Sequence, residues 1–198
     1  MIQIDDAGWG SLVGGVLIGV YRDTDRAFRF DEVAPLFFQG DRYLNKDYLQ
    51  EAGTIALRLL MELGVPRSEE IFLCTGYCLN GVYSKLLEHG YCVSRGKITG
   101  PLQDKIEHAL RTVLECKYSF KVTYEELTSL EKKGLFWWKQ IHWLKDGNID
   151  RHGFNNQKSV SCKTGWSTWP AWSKLPYSMA GNEAKRLKTK AHWNRRYG

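Results

Sequence analysis

The amino-acid sequence predicts an α/β protein whose mixed β-sheet is flanked by helices and followed by a basic, tryptophan-rich C-terminal extension. Short apolar runs rich in β-branched residues are typical of strands, and Gly, Asp and Asn bound them. Two longer segments repeat apolar residues every three or four positions, as one buried helix face requires. The composition changes near residue 132, which predicts a domain at 1–132 and an extension at 133–198.

The predicted elements alternate in type along the domain. Asp and Thr at 23–25 predict a hairpin between the second and third strands. Asn45 is the expected N-cap of the first long helix, and Pro101 opens the last one. The order β-β-β-α-β-α-β-α follows, with strands at about 1–6, 12–22, 26–33, 71–75 and 91–94, and helices at about 46–63, 82–89 and 101–116.

Charge is divided unevenly between the two parts. The extension holds 13 of the 28 Lys and Arg residues but only 3 of the 22 acids, which gives it a net charge of +10 and the domain −4. Seven of the eight tryptophans also lie in the extension. Basic side chains that neutralise phosphates, together with rings that stack on bases, predict a nucleic-acid surface. Two alternatives are a structural wrap over the domain and a surface for an acidic protein.

Within the extension, the apolar segment 135–144 is expected to dock on the domain as a helix. Much of 155–198 is expected to be extended or irregular unless a partner orders it. The basic residues expected to contact nucleic acid here are Lys185, Arg186, Lys188, Arg195 and Arg196.

Other bulk features exclude membrane and secreted classes. No apolar run approaches the roughly 18 residues that cross a bilayer. Acids occur early in the chain, where a secretion signal would be basic. The five cysteines lack paired C-x-x-C spacing, so we expect reduced thiols, most of them buried, and a cytoplasmic location.

Two adjacent carboxylates end the first predicted strand. Asp5 and Asp6 are followed by a glycine-rich turn, where small residues leave the backbone open to a ligand. Adjacent negative charges repel each other unless a divalent cation or a basic partner lies between them. The sequence therefore predicts a phosphate-handling metal site, and the alternative is a polar hairpin end that faces water.

The segment Asp5-Asp6-Ala7-Gly8-Trp9-Gly10 resembles the Asp-Glu-Ala-Gly-x-Gly motif that opens type 2 ribonucleases H. The predicted order of elements is also that of the ribonuclease H-like fold. In that family the acids bind the catalytic metals and the loop backbone senses the ribose hydroxyl. The resemblance thus implies that Asp5 and Asp6 bind Mg²⁺ or Mn²⁺, and that Gly8, Trp9 and Gly10 lie against the sugar-phosphate chain.

Further roles follow from position in the family. Glu51, in the first long helix, matches the helix carboxylate of type 1 ribonucleases H. Asp104 matches the acid of the last helix, and His108 shares its helix face and could shuttle a proton. The resemblance implies that Glu51 and Asp104 complete the metal coordination. Ordinary solvent-exposed helix faces are the alternative for all three residues.

One departure concerns the fourth strand, where these nucleases place an acid. The segment 74–80 contains no Asp or Glu, and Gly76 falls about where that carboxylate belongs. Thr75 and Asn80 could offer neutral oxygens, and Asp6 could supply the second negative charge from the first strand. The alternative is a domain without two-metal catalysis.

A basic loop at 94–100 precedes the last helix, and its Arg95 and Lys97 are candidate phosphate contacts. Together these features predict a ribonuclease H-like, Mg²⁺- or Mn²⁺-dependent phosphodiesterase, a hydrolase acting on DNA, RNA or their hybrid. The alternative is a non-catalytic ribonuclease H-like module that binds nucleic acid or a protein.

Overall fold

A computed structural model describes residues 1–128, 133–146 and 156–165 of the chain. Its centre is a five-stranded sheet. The strands are β1 (Ile2–Ala7), β2 (Val16–Arg22), β3 (Ala27–Val33), β4 (Ile71–Cys74) and β5 (Val93–Gly96). They lie in the order β3-β2-β1-β4-β5, so β1 is the middle strand.

The sheet is mixed. β1 pairs antiparallel with β2, and β2 pairs antiparallel with β3. β4 runs parallel to both β1 and β5. Because parallel strands need crossover connections, helices link β4 to its neighbours in the chain. The carboxyl ends of β1, β4 and β5 therefore point the same way and meet at one edge of the sheet.

Helices cover both faces of the sheet. They are α1 (Gly40–Leu44), α2 (Asp47–Glu62), α3 (Leu79–Glu88), α4 (Pro101–Tyr118), α5 (Tyr124–Thr128), α6 (Lys133–Lys145) and α7 (Asn156–Ser159), with a 3-10 turn at Pro35–Phe38 before α1. One core lies between the sheet and helices α2 and α3, and it includes Ile4, Ile18 and Leu59. A second core lies between the other face and α4, and it includes Leu17 and Leu110.

The predicted α/β class and the order of its main elements are confirmed. Three elements differ in their bounds. β2 begins at Val16 because residues 12–15 belong to a loop, α3 begins at Leu79 rather than 82, and β5 spans Val93–Gly96 rather than 91–94. Asn45 is the C-cap of α1, and the residue before α2 is Lys46 in a left-handed conformation.

The described part of the extension packs into the second core. Phe136, Ile141 and Leu144 of α6 are buried there, as expected for the apolar segment 135–144. Cys162 is buried beside them and forms a β-bridge with Val13, in the loop after β1. Most of the remaining extension, including the five basic residues at 185–196, lies outside the described residues.

All five cysteines are free thiols. Cys78 and Cys162 are buried, whereas Cys92 and Cys116 are exposed, so the expectation of burial holds only in part. Among the residues that the structure describes, no helix is both long enough and apolar enough to cross a bilayer.

Two glycines allow α2 and α3 to approach closely. A Cβ atom at Gly81 would overlap the backbone carbonyl oxygen of Leu49 in α2. A Cβ at Gly53 would lie 3.0 Å from the carbonyl oxygen of Gly81 and 2.8 Å from Cβ of Lys85. Since a backbone carbonyl cannot rotate away as a side chain can, only glycine fits at 81.

We therefore expect Gly81→Ala to destabilise the protein, although alanine is the better helix former by about 1 kcal/mol. Overpacking at the crossing should exceed that gain and give a net loss of about 2 kcal/mol in the free energy of unfolding. Urea unfolding measures the difference. Ser84→Ala, at an exposed position of the same helix, is the control and should be neutral or slightly stabilising. A stabilised Gly81→Ala would contradict the close crossing.

Candidate active site

The acid pair lies at the carboxyl end of the central strand. Asp5 pairs with Gly19 of β2 and Asp6 with Ile18, so their side chains project to opposite faces of the sheet. Asp5 is only 7% exposed, and its Oδ1 accepts a hydrogen bond of 2.8 Å from the backbone N–H of Asp6. Although the two side chains leave β1 on opposite faces, both lie at its carboxyl end, where the negative charge of Asp5 contributes to the raised pKa of Asp6.

Burial makes both carboxylates costly to ionise. It raises the pKa of Asp5, and hydrogen bonds from the Cys74 thiol and the Asp6 amide offset only part of this. Burial also raises the pKa of Asp6 to about 7, with further contributions from the negative charges of Asp5 and Glu107. Among the described residues, none forms an ion pair with Asp5 or Asp6. The pair therefore favours a cation from outside the chain.

Gly76 leaves the space that the Asp6 carboxylate fills. A Cβ atom at Gly76 would overlap Oδ1 of Asp6. The end of β4 thus has no acid of its own but holds the acid of the neighbouring strand against its backbone. Asp6, the residue expected to supply a second negative charge from the first strand, is therefore placed next to the end of β4.

The other expected metal ligands lie elsewhere. Asp104 is exposed, and the Tyr124 hydroxyl donates to its Oδ1 over 3.3 Å. The His108 ring stacks on the same Tyr124 ring, with centroids 4.2 Å apart. Glu51 is half-buried in α2 and, like Asp104, does not contribute to the raised pKa of either acid. In the described ranges, no group of three His, Cys, Asp or Glu side chains is arranged to hold a metal ion.

Glu107 is an acid of α4 whose negative charge acts on Asp6. It is half-buried, and its charge contributes to the raised pKa of Asp6. Glu107 is one helical turn from Asp104, and the sequence alone assigned it no metal role. No local pattern distinguishes it from Asp104, because both acids lie on one face of the helix.

The glycine-rich loop (residues 8–15) follows the acids directly. Gly8 has a φ of 91°, a left-handed conformation that favours glycine. The Trp9 ring is half-buried and packs against the rings of Phe38, Tyr48 and Tyr77, with centroids 5.6–6.1 Å apart. Gly10 is exposed at the tip. The expected nucleic-acid loop therefore offers an exposed backbone, whereas Trp9 is an anchor for an aromatic cluster.

Arg95 lies at the same edge of the sheet. Its guanidinium donates to Oδ1 of Asn80 over 2.9 Å and to the carbonyl oxygen of Cys74 over 3.3 Å. It also lies over the Tyr83 ring, 5.3 Å from the centroid. Lys97 is exposed in the following loop. The expected phosphate contacts thus flank the end of β4, while Lys185, Arg186, Lys188, Arg195 and Arg196 lie outside the described residues.

Comparison of the sequence with known proteins assigns the chain to no family. No model of a protein family matches the chain, and no curated protein does. The function therefore has to be argued from the geometry of the fold and of the acid pair.

Asp6 makes stability depend on pH in a defined direction. Its folded pKa of about 7 lies above its ordinary value of 3.8. The folded chain therefore binds more protons than the unfolded chain between these values, and stability falls as pH rises through them. We expect metal-free wild type to lose on the order of 2–4 kcal/mol relative to Asp6→Asn between about pH 4 and about pH 7. Urea unfolding at each pH measures this, and parallel pH profiles for the two chains would contradict it.

Proposed function

We propose that this chain is a ribonuclease H-like, divalent-metal-dependent phosphodiesterase that acts on nucleic acid. The observation on which the proposal rests is the pair of carboxylates at the end of the central strand, of which Asp5 is buried and Asp6 is half-buried. Their pKa values are raised, and none of the described residues forms an ion pair with them. Two such groups in a low-dielectric site favour a divalent cation over two protons at neutral pH.

The topology supports the ribonuclease H-like part of the proposal. Three antiparallel strands are followed by two parallel strands that helices connect, and the acids end the middle strand. In open α/β sheets, ligands bind beyond the carboxyl ends of the strands. The acid pair, Gly76 and Arg95 all lie at that edge.

The oxygen donors present fit a hard cation such as Mg²⁺ or Mn²⁺. Asp5 and Asp6 would hold it, and Glu107 is a third carboxylate, whose charge contributes to the raised pKa of Asp6. When bound, such an ion supplies a nucleophilic water at neutral pH and neutralises charge on the phosphate.

The chain's own groups then have separate roles at this edge. Asp5 and Asp6 supply the negative charge that fixes the cation's position. The exposed backbone at Gly10 offers a surface for the sugar-phosphate chain, and the Arg95 guanidinium attracts a phosphate oxygen. The basic extension adds the electrostatic attraction that holds a polyanion to the protein.

Cation binding by single variants tests the assignment. We expect wild type to bind Mn²⁺ in a calorimetric titration and to cleave an RNA–DNA hybrid. Asp5→Asn and Glu107→Gln should lower the cation affinity at least about tenfold and abolish cleavage, because each removes a negative charge from the site. Asp104→Asn is the matched control on α4 and should bind the cation as wild type does.

Each result of that titration discriminates. If Asp104→Asn loses the cation while Glu107→Gln keeps it, the family assignment of Asp104 is right and ours is wrong. Wild type that binds no cation at millimolar concentration, with or without the hybrid, contradicts the catalytic proposal.

The relation between Asp6 and Gly76 gives a second test. Gly76→Asp alone should destabilise the chain by about 2 kcal/mol or more, because its Cβ overlaps the Asp6 carboxylate and a third negative charge is added. Asp6→Ala alone should lose cation binding. The double variant Asp6→Ala/Gly76→Asp should be more stable than Gly76→Asp and should bind the cation better than Asp6→Ala, since a single carboxylate then occupies the same space from the fourth strand. Strictly additive effects in this double-mutant cycle would refute the exchange of roles.

A second candidate function is a non-catalytic module of the same fold that binds nucleic acid. The observation in its favour is that, within the described residues, no three ligand side chains are arranged to hold a metal. It predicts hybrid binding that falls steeply with salt, without any divalent cation requirement. Salt-dependent binding in the presence of a chelator, with no cleavage when Mn²⁺ is supplied, would favour this module over the phosphodiesterase.

A further inference from the structure

The glycine-rich loop lies between the acid pair and β2, and it contains three glycines besides Gly8. Gly8 and Gly14 both have positive φ values, of 91° and 75°. Glycine backbones lose more conformational freedom on ordering than any others, so a loop of this composition needs bonds from elsewhere to hold one shape. The extension provides them.

Lys163 of the extension binds the carbonyl side of the loop. The residue is fully buried, and its Nζ donates to the carbonyl oxygens of Gly8 over 3.1 Å, Ser11 over 2.8 Å and Gly14 over 2.8 Å. Its backbone N–H also donates to the carbonyl oxygen of Leu12 over 3.0 Å. One residue, 155 positions from Gly8, thus contacts four carbonyls across the length of the loop.

Gln140 of α6 binds the amide side. The side chain is fully buried, and its Oε1 accepts hydrogen bonds from the backbone N–H groups of Leu12 over 2.6 Å and Val13 over 2.9 Å. The Ser11 hydroxyl lies 2.9 Å from the same oxygen. Gln140 therefore accepts hydrogen bonds from the backbone N–H groups of the loop, and Lys163 donates hydrogen bonds to the carbonyl oxygens of the same loop. We call these two residues the loop clamp.

The clamped loop lies directly against the proposed site. Gly8 is two residues after Asp6, and a Cβ atom at Gly8 would lie 3.0 Å from Cδ1 of Leu110 in α4. Leu110 lies one helical turn after Glu107, the acid whose charge reaches Asp6. A shift of the loop would therefore move the exposed backbone at Gly10 relative to the acids.

We propose that Lys163 and Gln140 are positioning residues, which fix the glycine-rich loop in the shape that receives the nucleic-acid backbone. The inference rests on the proposed function. It assigns to the extension a part in forming the site, in addition to the electrostatic attraction of its basic residues. Neither residue touches the phosphate or the cation. Their effect is on the binding of the nucleic acid, not on the carboxylates that hold the metal.

The test uses the full chain with Lys163→Met, which keeps an unbranched side chain but removes the three N–H donors. The matched control is Lys158→Met in the same segment. Lys158 donates to the carbonyl oxygens of Trp143 and Asp146 and to Oδ2 of Asp146, all away from the loop. Three quantities are measured: amide hydrogen exchange at residues 9–15, Mn²⁺ binding by calorimetry, and affinity for an RNA–DNA hybrid by fluorescence anisotropy.

In Lys163→Met we expect the amides of Leu12 and Val13 to exchange at least about tenfold faster, because the loop opens locally. The dissociation constant for the hybrid should rise about tenfold or more, since binding must then order the loop. Mn²⁺ affinity should stay unchanged, as should all three quantities in Lys158→Met. The Mn²⁺ affinity distinguishes a positioning role from a general loss of structure, because a general loss of structure would weaken the binding of both Mn²⁺ and the hybrid.

Faster exchange with unchanged hybrid affinity overturns the positioning role, and so does unchanged exchange. Wild type that binds Mn²⁺ but no hybrid also overturns it, whereas wild type that binds no Mn²⁺ counts against the proposed function instead. If Lys163→Met does not fold, Gln140→Met replaces it. Amide hydrogen exchange in wild type is a further check. Rapid exchange of the Leu12 and Val13 amides would contradict the hydrogen bonds of the loop clamp.

Discussion

The bonds between the Lys163 ammonium and three backbone carbonyls of the glycine-rich loop are the interaction on which this structure depends most. Placing a lysine wholly inside a protein is costly, and burial lowers the pKa of Lys163 to about 7. Three carbonyl oxygens within 3.1 Å offset that cost with charge-assisted hydrogen bonds. Because the carbonyls belong to the loop after β1, the extension and the end of the central strand are ordered together.

Lys163 and Asp6 carry opposite charges and differ in the hydrogen-bond partners that the chain provides for them. The Lys163 Nζ donates to three backbone carbonyl oxygens, so its hydrogen bonds are made within the chain. The Asp6 carboxylate is also largely enclosed, yet among the described residues nothing donates a hydrogen bond to it. An external cation binds most favourably next to a carboxylate whose negative charge no group of the protein compensates. That contrast is our reason for assigning the cation to the acid pair.

The end of the fourth strand lacks an acid, and the Asp6 carboxylate of the first strand occupies the space there. A carboxylate at position 76 and the present Asp6 cannot occupy the same volume, since even a Cβ atom at Gly76 overlaps Asp6 Oδ1. The two residues are therefore alternatives for one place at the sheet edge. The end of β4 has no carboxylate in the sequence, but in three dimensions the carboxylate of the adjacent strand lies in that place.

The sequence by itself determined the α/β class and the order of the main elements, and it singled out Asp5 and Asp6 as the centre of the proposed site. These follow from local patterns: the apolar alternation of strands, the periodicity of helices and two acids before a glycine turn. It did not distinguish Glu107 from Asp104, because both occupy one helix face and only the packing of α4 on the sheet decides which approaches the pair. Nor did it show the contacts of Gln140 and Lys163 with the loop, which lie more than 120 residues away. Such long-range pairs leave no periodic signal, so tertiary packing alone decided them.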